Sequence, residues 1–468
     1  MRNFEVDIER FKLLKEQLLR IYKNFALEPP YQHALYYHSY LTQDTMWTNA
    51  EKLKELEMIT AEDVQSFYPS LISRLHIEAL VHGNFSREDA QKMLHDTIDI
   101  LKPKALQPSE LIGNRSLTLP HGSKWVYQRD VEDPNNVNSG IEYVIQVGNI
   151  TETSLRAKLT LLAQIAQEPC FDQLRTKEQL GYLVFSGVRK QVGSMGLRFI
   201  LQSERDTIYL ENRIEDFLDK LRALVEKMTP EEYDAQVQSV ITKKLEKDKN
   251  LAQEGSKYWS HIHSGFYEFD QAEKDIKELK EIKKEDLLAF MSEYIDPCSS
   301  KFRKLSVHIQ SQKAQTAQPK KFKVNIESLH TCLVSQGVTR LSIEDIRSAV
   351  EKGDAGEASI EANLRELLTD ETKAEEEEIE ALMAKLVTAM RETESVDGSL
   401  VNVKSQKTAR RLSMVSRQLN NNDSDQDQKE RDHTKLPEGN KIVTNVREFK
   451  NSLELSPAPC PLIDFQVI

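Results

Sequence analysis

Between Asp7 and Phe25 the apolar residues Phe11, Leu14, Leu18, Ile21, Tyr22 and Phe25 recur three and four positions apart. That period lines one face of a helix, and the pair Pro29-Pro30 closes it, because proline lacks the donor and disfavours helical dihedrals in the residue before it. A second helical region spans Gln32 to Leu41. In "ITAEDVQSFYPSLI", Thr60 takes the N-cap and Asp63 the capping-box position of a third helix. The stretch "RLHIEALVHG" alternates, with Leu75, Ile77, Ala79 and Val81 on one side, which predicts a strand.

The same order of elements returns before residue 311. A Thr229/Pro230 start opens one helix, "SKYWSHIHSGFYEF" carries a second, "IKKEDLLAFMSEYI" a third, and "KLSVHIQ" reads as a strand. Ile59, Glu62, Asp63, Val64 and Phe67 align with Ile282, Glu285, Asp286, Leu287 and Phe290 at one constant offset, so the chain contains an internal repeat. Between the copies, "KWVYQRDV" and "GIEYVIQVGN" alternate as strands, and "TSLRAKLTLLAQIAQEPC" is a helix with Leu155, Leu159, Leu162 and Ala166 on one face. The stretch "GYLVFSGVRKQVGSMGLRFILQS" reads as a hairpin whose arms are apolar on both faces, which predicts two interior strands.

This pattern predicts an α+β fold: a mostly antiparallel sheet covered by helices, built from a duplicated domain whose first copy is incomplete. The expected domains are 1–110, the latter half of one copy; 115–311, a whole copy; 312–440, an acidic helical and disordered insert; and 441–468, a C-terminal segment packing on the second copy.

Composition changes the picture in two places. The formal charge is −12, yet residues 341–400 alone hold 17 acids against 6 bases, so the acidity belongs to the insert and the rest is nearly neutral. A nucleic-acid-binding surface over the chain as a whole is therefore not expected. No window approaches the roughly 18 to 20 apolar residues of a membrane span, and the first residues lack a signal peptide's apolar run. A soluble, cytoplasmic protein with no membrane partner is the expectation. Cys170, Cys298, Cys332 and Cys460 show no paired spacing and are expected to be reduced thiols.

The usual catalytic motifs are missing. No H-E-x-x-H or H-x-x-E-H occurs, nor a P-loop or a G-x-S-x-G elbow. His33 with His38, His76 with His82, and His261 with His263 lack the geometry of a metal site: the first pair is about 140° apart around a helix, and the second about 20 Å apart along a strand. No metal ligand and no cofactor are assigned to this chain. In "ARRLS", two arginines precede Ser413, a candidate phosphorylation site.

One stretch remains, "EPCFDQLRTKEQLGYLVFSGVRK". Pro169 is expected to end one helix, a short helix follows from Phe171 to Leu180, and Gly181 takes a left-handed C′ position before Tyr182 opens a strand. Arg175 and Tyr182 then either serve only packing and the helix dipole, or converge so that a guanidinium fork and a phenol hold a carbonyl. On the residues alone the packing role is the default.

That stretch, together with "GLRFILQSE", "SRLHIEALVHGN" and "REFKNSLELSP", resembles the C-terminal half of pitrilysin-family zinc metallopeptidases. The resemblance implies four homologous α+β domains forming two bowl-shaped halves around a closed chamber in which short peptides are degraded. It implies that Arg175 and Tyr182 contact the substrate and transition state and that Phe171 lines the adjacent pocket. It further implies that this chain starts inside the third domain, and that zinc belongs to a catalytic N-terminal half not present in it. The expected partners are peptide substrates and that catalytic half; alternatively, the chain is an inactive peptide-binding or regulatory partner of a full-length relative. The insert at 312–440 has no counterpart in the resemblance.

Overall fold

The computed structural model describes residues 4–111, 113–313 and 433–459, with scattered residues between 329 and 383. The chain divides into two compact units, 1–316 with 432–468, and 317–431.

The first unit opens with helices set by local chemistry. α1 (Ile8–Asn24) is capped by Asp7, whose carboxylate accepts the Arg10 N–H at 2.9 Å. α2 (Pro30–Thr42) begins on Pro30, where a missing donor costs nothing. α3 (Asn49–Met58), α4 (Ala61–Ser73) and α5 (Arg87–Leu101) each start with a capping box, from Thr48/Glu51, Thr60/Asp63 and Ser86/Asp89. Each such cap contributes about 1 kcal/mol. The strand predicted over "RLHIEALVHG" is reduced to β1 (Arg74–Leu75), paired in parallel with β2 (Lys104–Ala105). Alternation suits a strand with one face covered, but the ladder needs a neighbour, and beyond Leu75 none is present among the described residues.

The central sheet has the order β6-β7-β5-β8-β4-β9. β3 (Leu117–Thr118) lies outside it, paired with β10 (Glu454–Leu455). In the sheet itself, β4 (Ser123–Asp130) runs parallel to β8 (Arg303–Gln310) and to the short β9 (Lys441–Ile442). β5 (Ser139–Gly148), β6 (Leu183–Gln191) and β7 (Ser194–Ser203) make the antiparallel pairings, so the sheet is mostly antiparallel. β7 is interior as predicted, but β6 is an edge strand, bonded only to β7 among the described residues. An apolar pattern reports what covers the faces of a strand and is silent about its edge.

One face of the sheet is covered by α6 (Thr153–Cys170) and α7 (Thr207–Lys227); α8 (Pro230–Leu245), α10 (Gln271–Glu281) and α11 (Lys284–Phe290) pack on these helices, and α9 (Leu251–His263) joins α8 to α10. Leu159, Leu162, Ile214, Phe217, Leu287 and Phe290 meet Ile141, Tyr143, Ile145 and Phe199 there in one buried core. The opposite face is covered by α2 and the returning C-terminal segment: Ala34, Tyr37, Leu41, Val443 and Phe449 pack on Leu305, Val307 and Ile309. A helix from before residue 110 thus supplies a layer of the sheet built by residues 123–310.

The repeat holds at the level of the caps. Asp63 accepts the Thr60 N–H at 2.8 Å, and Asp286 accepts the Lys283 N–H at 2.9 Å. Burial breaks the symmetry. Ile282, Leu287 and Phe290 are buried in the core, whereas Ile59 and Phe67 are exposed, Phe67 by 60%. In the described residues, the first copy has helices without the sheet that would cover them.

Ionic groups are also buried. Lys304 and His308 on β8 both pair with Glu211 of α7, and all three are completely buried. Burial pushes the Glu211 carboxyl up, but Lys304 and His308 pull it further down, to about 2. On the α2 face, Glu142 bonds Arg189 at 2.6 Å; its burial outweighs the two nearby arginines and holds its carboxyl above the usual range.

In the second unit the helix Ile343–Lys352 starts on Ser342, whose N–H donates to Asp345 at 2.9 Å. Ser413, Cys332 and Cys460, and most of the segment expected to be acidic and disordered, lie outside the described residues.

Candidate functional site

The junction after α6 departs from its sequence reading in two ways. The helix does not stop at Pro169; it runs to Cys170 and passes into a π-helical turn, Phe171–Lys177. The left-handed residue is not Gly181 but Gln179, at φ 50°. Gly181 is required for a different reason: a Cβ there would lie 1.9 Å from the Gln202 carbonyl oxygen of β7.

This path brings Arg175 and Tyr182 together. The Arg175 guanidinium stacks between two rings, 4.7 Å from the centre of Phe171 and 4.9 Å from that of Tyr182. Tyr182 is 87% exposed and Phe171 44%, so the stack faces solvent. Arg175 has no carboxylate partner and no hydrogen-bond acceptor among the described residues, so its N–H groups are available to donate. An open guanidinium edge beside an exposed phenol offers several donors to one carbonyl or carboxylate.

Sequence reasoning missed the ion pair at the end of this turn. Glu178 receives Arg213 of α7 through two bonds, Nε to Oε2 at 2.7 Å and Nη2 to Oε1 at 2.6 Å. Gln173 donates to the same carboxylate at 2.6 Å, and the Glu178 N–H closes the wide turn on the Gln173 carbonyl at 3.0 Å. Nothing local marked Glu178, because its partner is 35 positions away in the chain. Cys170 beside the site is buried, which pushes its thiol up to about 12 and disfavours the thiolate.

The other candidate residues do not converge here. His33 and His38 are buried in α2, His76 pairs with Glu78 at 3.0 Å, and His82 with Glu254 at 3.3 Å. His76 and His82 lie outside any strand. Among the described residues no cluster of three or more His, Cys, Asp or Glu side chains is placed to hold a metal ion. At the far end of β6 a cleft of about 1030 Å³ is lined by Arg115, Arg189, Lys190 and Arg198 with His261 and His263. No helix among the described residues is long and apolar enough to cross a membrane.

Two family profiles match parts of the chain: the middle or third domain of peptidase M16 over residues 1–55, and the PQQ synthase PqqF-like C-terminal lobe domain 4 over residues 161–259, which include Arg175 and Tyr182. Insulin-degrading enzyme of Homo sapiens is 42% identical over 313 residues, covering 66% of this chain and 30% of its own. The chain matches the C-terminal half of insulin-degrading enzymes. The peroxisomal insulin-degrading enzyme-like 1 of Arabidopsis thaliana is 35% identical over 314 residues, 66% of this chain and 32% of its own. The chain therefore spans about a third of the length of these curated relatives. The crystal structure of pitrilysin shares the fold, with a TM-score of 0.60 at 24% identity, over 68% of this chain and 33% of that one. Similarity to insulin-degrading enzymes makes this chain a relative of a peptidase family, with the α+β architecture of pitrilysin.

Proposed function

We propose that this chain is the peptide-holding, non-catalytic C-terminal half of an insulysin-like zinc metalloendopeptidase that degrades short peptides in a closed chamber. The observation that carries the reading is the exposed Phe171–Arg175–Tyr182 stack, with its unpaired guanidinium edge beside a free-standing phenol. In this role the Arg175 fork holds a backbone carbonyl of the peptide, Tyr182 donates to the oxygen on which negative charge develops, and Phe171 flanks the neighbouring side chain. Zinc belongs to the catalytic half. Residues 1–110 then close a third pitrilysin-type domain and 115–311 form a fourth, on which the described part of the C-terminal segment, 441–459, packs. A cytoplasmic location is part of this proposal.

The test is binding of a fluorescein-labelled peptide by anisotropy, then hydrolysis after addition of a zinc-bearing N-terminal half. Arg175→Ala and Tyr182→Phe are expected to weaken binding and to abolish the gain in hydrolysis. Binding that is unchanged in both variants refutes the site, and zinc-dependent cleavage by the chain alone refutes the non-catalytic assignment.

A second reading is supported by the exposed Ile59 and Phe67, whose repeat equivalents are buried. In it the chain is an inactive peptide-binding or regulatory partner that docks this bare face on a full-length relative. Co-purification with the relative and a change in its activity would favour this role; restoration of hydrolysis to an isolated catalytic half would favour the first.

A further inference from the structure

The Glu178–Arg213 pair lies one turn from the stack and touches neither ring. Both side chains are 17% exposed, and Arg213 spends its remaining nitrogen on Asp216 at 2.6 Å. α7 does not need this pair to stay in place. Its own apolar face buries Leu210, Ile214, Phe217, Leu218 and Leu221, and Asp206 caps its start with a 2.8 Å bond to the Tyr209 N–H. Nor does the loop depend on it for anchorage, since Leu174 and Leu180 are buried in the core. What the two-bonded fork adds is orientation. It fixes the carboxylate in the plane of a guanidinium that cannot swivel.

The consequence follows along the chain. Glu178 ends the π-helical turn that carries Arg175, and Gln179 takes the left-handed conformation immediately after it. Gly181 is then pressed against the Gln202 carbonyl. Only Gln179 and Leu180 separate the clamped carboxylate from the clamped glycine, so there is no slack to absorb a shift, and Tyr182 is the next residue. A displacement at Glu178 must change the distance between the Arg175 guanidinium and the Tyr182 ring.

We propose that Glu178 and Arg213 are positioning residues that hold Arg175 and Tyr182 at the spacing needed to grip one peptide carbonyl. The proposal rests on the reading of Arg175 and Tyr182 as the peptide-holding pair. Loss of the fork leaves the stack's residues in place but lets their spacing vary.

The experiment uses the full chain with Glu178→Gln, Arg213→Lys and the exchanged double variant Glu178→Arg/Arg213→Glu. Two quantities are read. One is affinity for the fluorescein-labelled peptide. The other is the Arg175 side-chain Nε–Hε resonance in chain labelled with 15N-arginine, assigned by its loss in Arg175→Lys and displaced by the ring currents of Phe171 and Tyr182. Each single variant is expected to bind about tenfold more weakly, in line with the cost of misplacing a contacting group by a fraction of an ångström to an ångström. The Arg175 resonance should move toward that of free arginine, and the exchanged double variant should recover part of both. In an Arg175→Ala background, Arg213→Lys should cause a clearly smaller loss of affinity than in the parent chain.

An Arg175 resonance that stays in place in folded Arg213→Lys and Glu178→Gln overturns the proposal, as does a loss that adds fully to that of Arg175→Ala. A parent chain that fails to bind peptide while the resonance still moves overturns the peptide-holding reading and leaves the positioning role standing. Circular dichroism melting confirms that each variant compared is folded.

Discussion

Replacing Gly181 with alanine tests the link between the fold and the site most directly. The backbone there is not left-handed, so the new methyl meets no dihedral barrier; it meets the Gln202 carbonyl oxygen, 1.9 Å from where the Cβ would stand. An ordinary carbon–oxygen contact is about 3.3 Å, so the start of β6 would have to move away from β7 by more than an ångström. That movement breaks pairing near Leu183↔Gln202 and costs about 2 to 3 kcal/mol, the usual range for overpacking a fitted interior. It should lower the melting temperature by roughly 4 °C. Because Tyr182 is the next residue, its ring should leave the Arg175 guanidinium, and peptide affinity should fall about tenfold or more. The comparison is Gly187→Ala on the same strand. There the nearest atoms, at 3.0 and 3.2 Å, belong to the exposed Phe185 ring, which can turn aside. Melting temperature and anisotropy titration are measured on both variants. If Gly181→Ala behaves like Gly187→Ala, contact with Gln202 does not set the position of Tyr182, and the account of the junction is wrong.

Phe171→Leu removes one ring from the guanidinium stack and should weaken peptide binding about two- to fivefold, the worth of one exposed cation–π contact, with little change in melting temperature. Lys304→Met strips Glu211 of one of its two buried partners and should destabilise the chain by about 3 to 5 kcal/mol in urea titrations; a loss under 1 kcal/mol would show that the pair contributes little. His38 is held neutral well below its ordinary range, by burial first and then by Arg189 and Arg198. Its unfolded form takes up a proton below about pH 6.5 while the folded form refuses it, so stability should fall as pH drops from about 6.5, by up to roughly 1.4 kcal/mol per unit. His38→Asn should flatten that part of the profile. Glu211, pulled down to about 2, acts in a lower window: its contribution is complete above the ordinary carboxylate range and is lost as pH falls from there toward 2.

The parts of this protein that were legible in its sequence are those settled by near neighbours. The capping box at Thr60 needs only Asp63 three places on, the helix start at Thr229 only the proline that follows it, and both form as read. The face of α6 needs only the helical period, and Leu159, Leu162 and Ala166 are fully buried. The repeat needed only a constant offset, and the donor types at Arg175 and Tyr182 are fixed by residue identity. What the sequence left open depends on how distant segments close on one another. Whether β6 is interior or edge is decided by which strand lies beside it, and a pattern of apolar residues carries no trace of that. The glycine at 181 was legible as a break but not as a close approach, because the obstructing carbonyl belongs to Gln202. α2 covers a sheet whose strands begin some eighty residues later. The grip on the site comes from Arg213, on another helix, because two charges far apart in the chain are paired only once the core has brought their helices together.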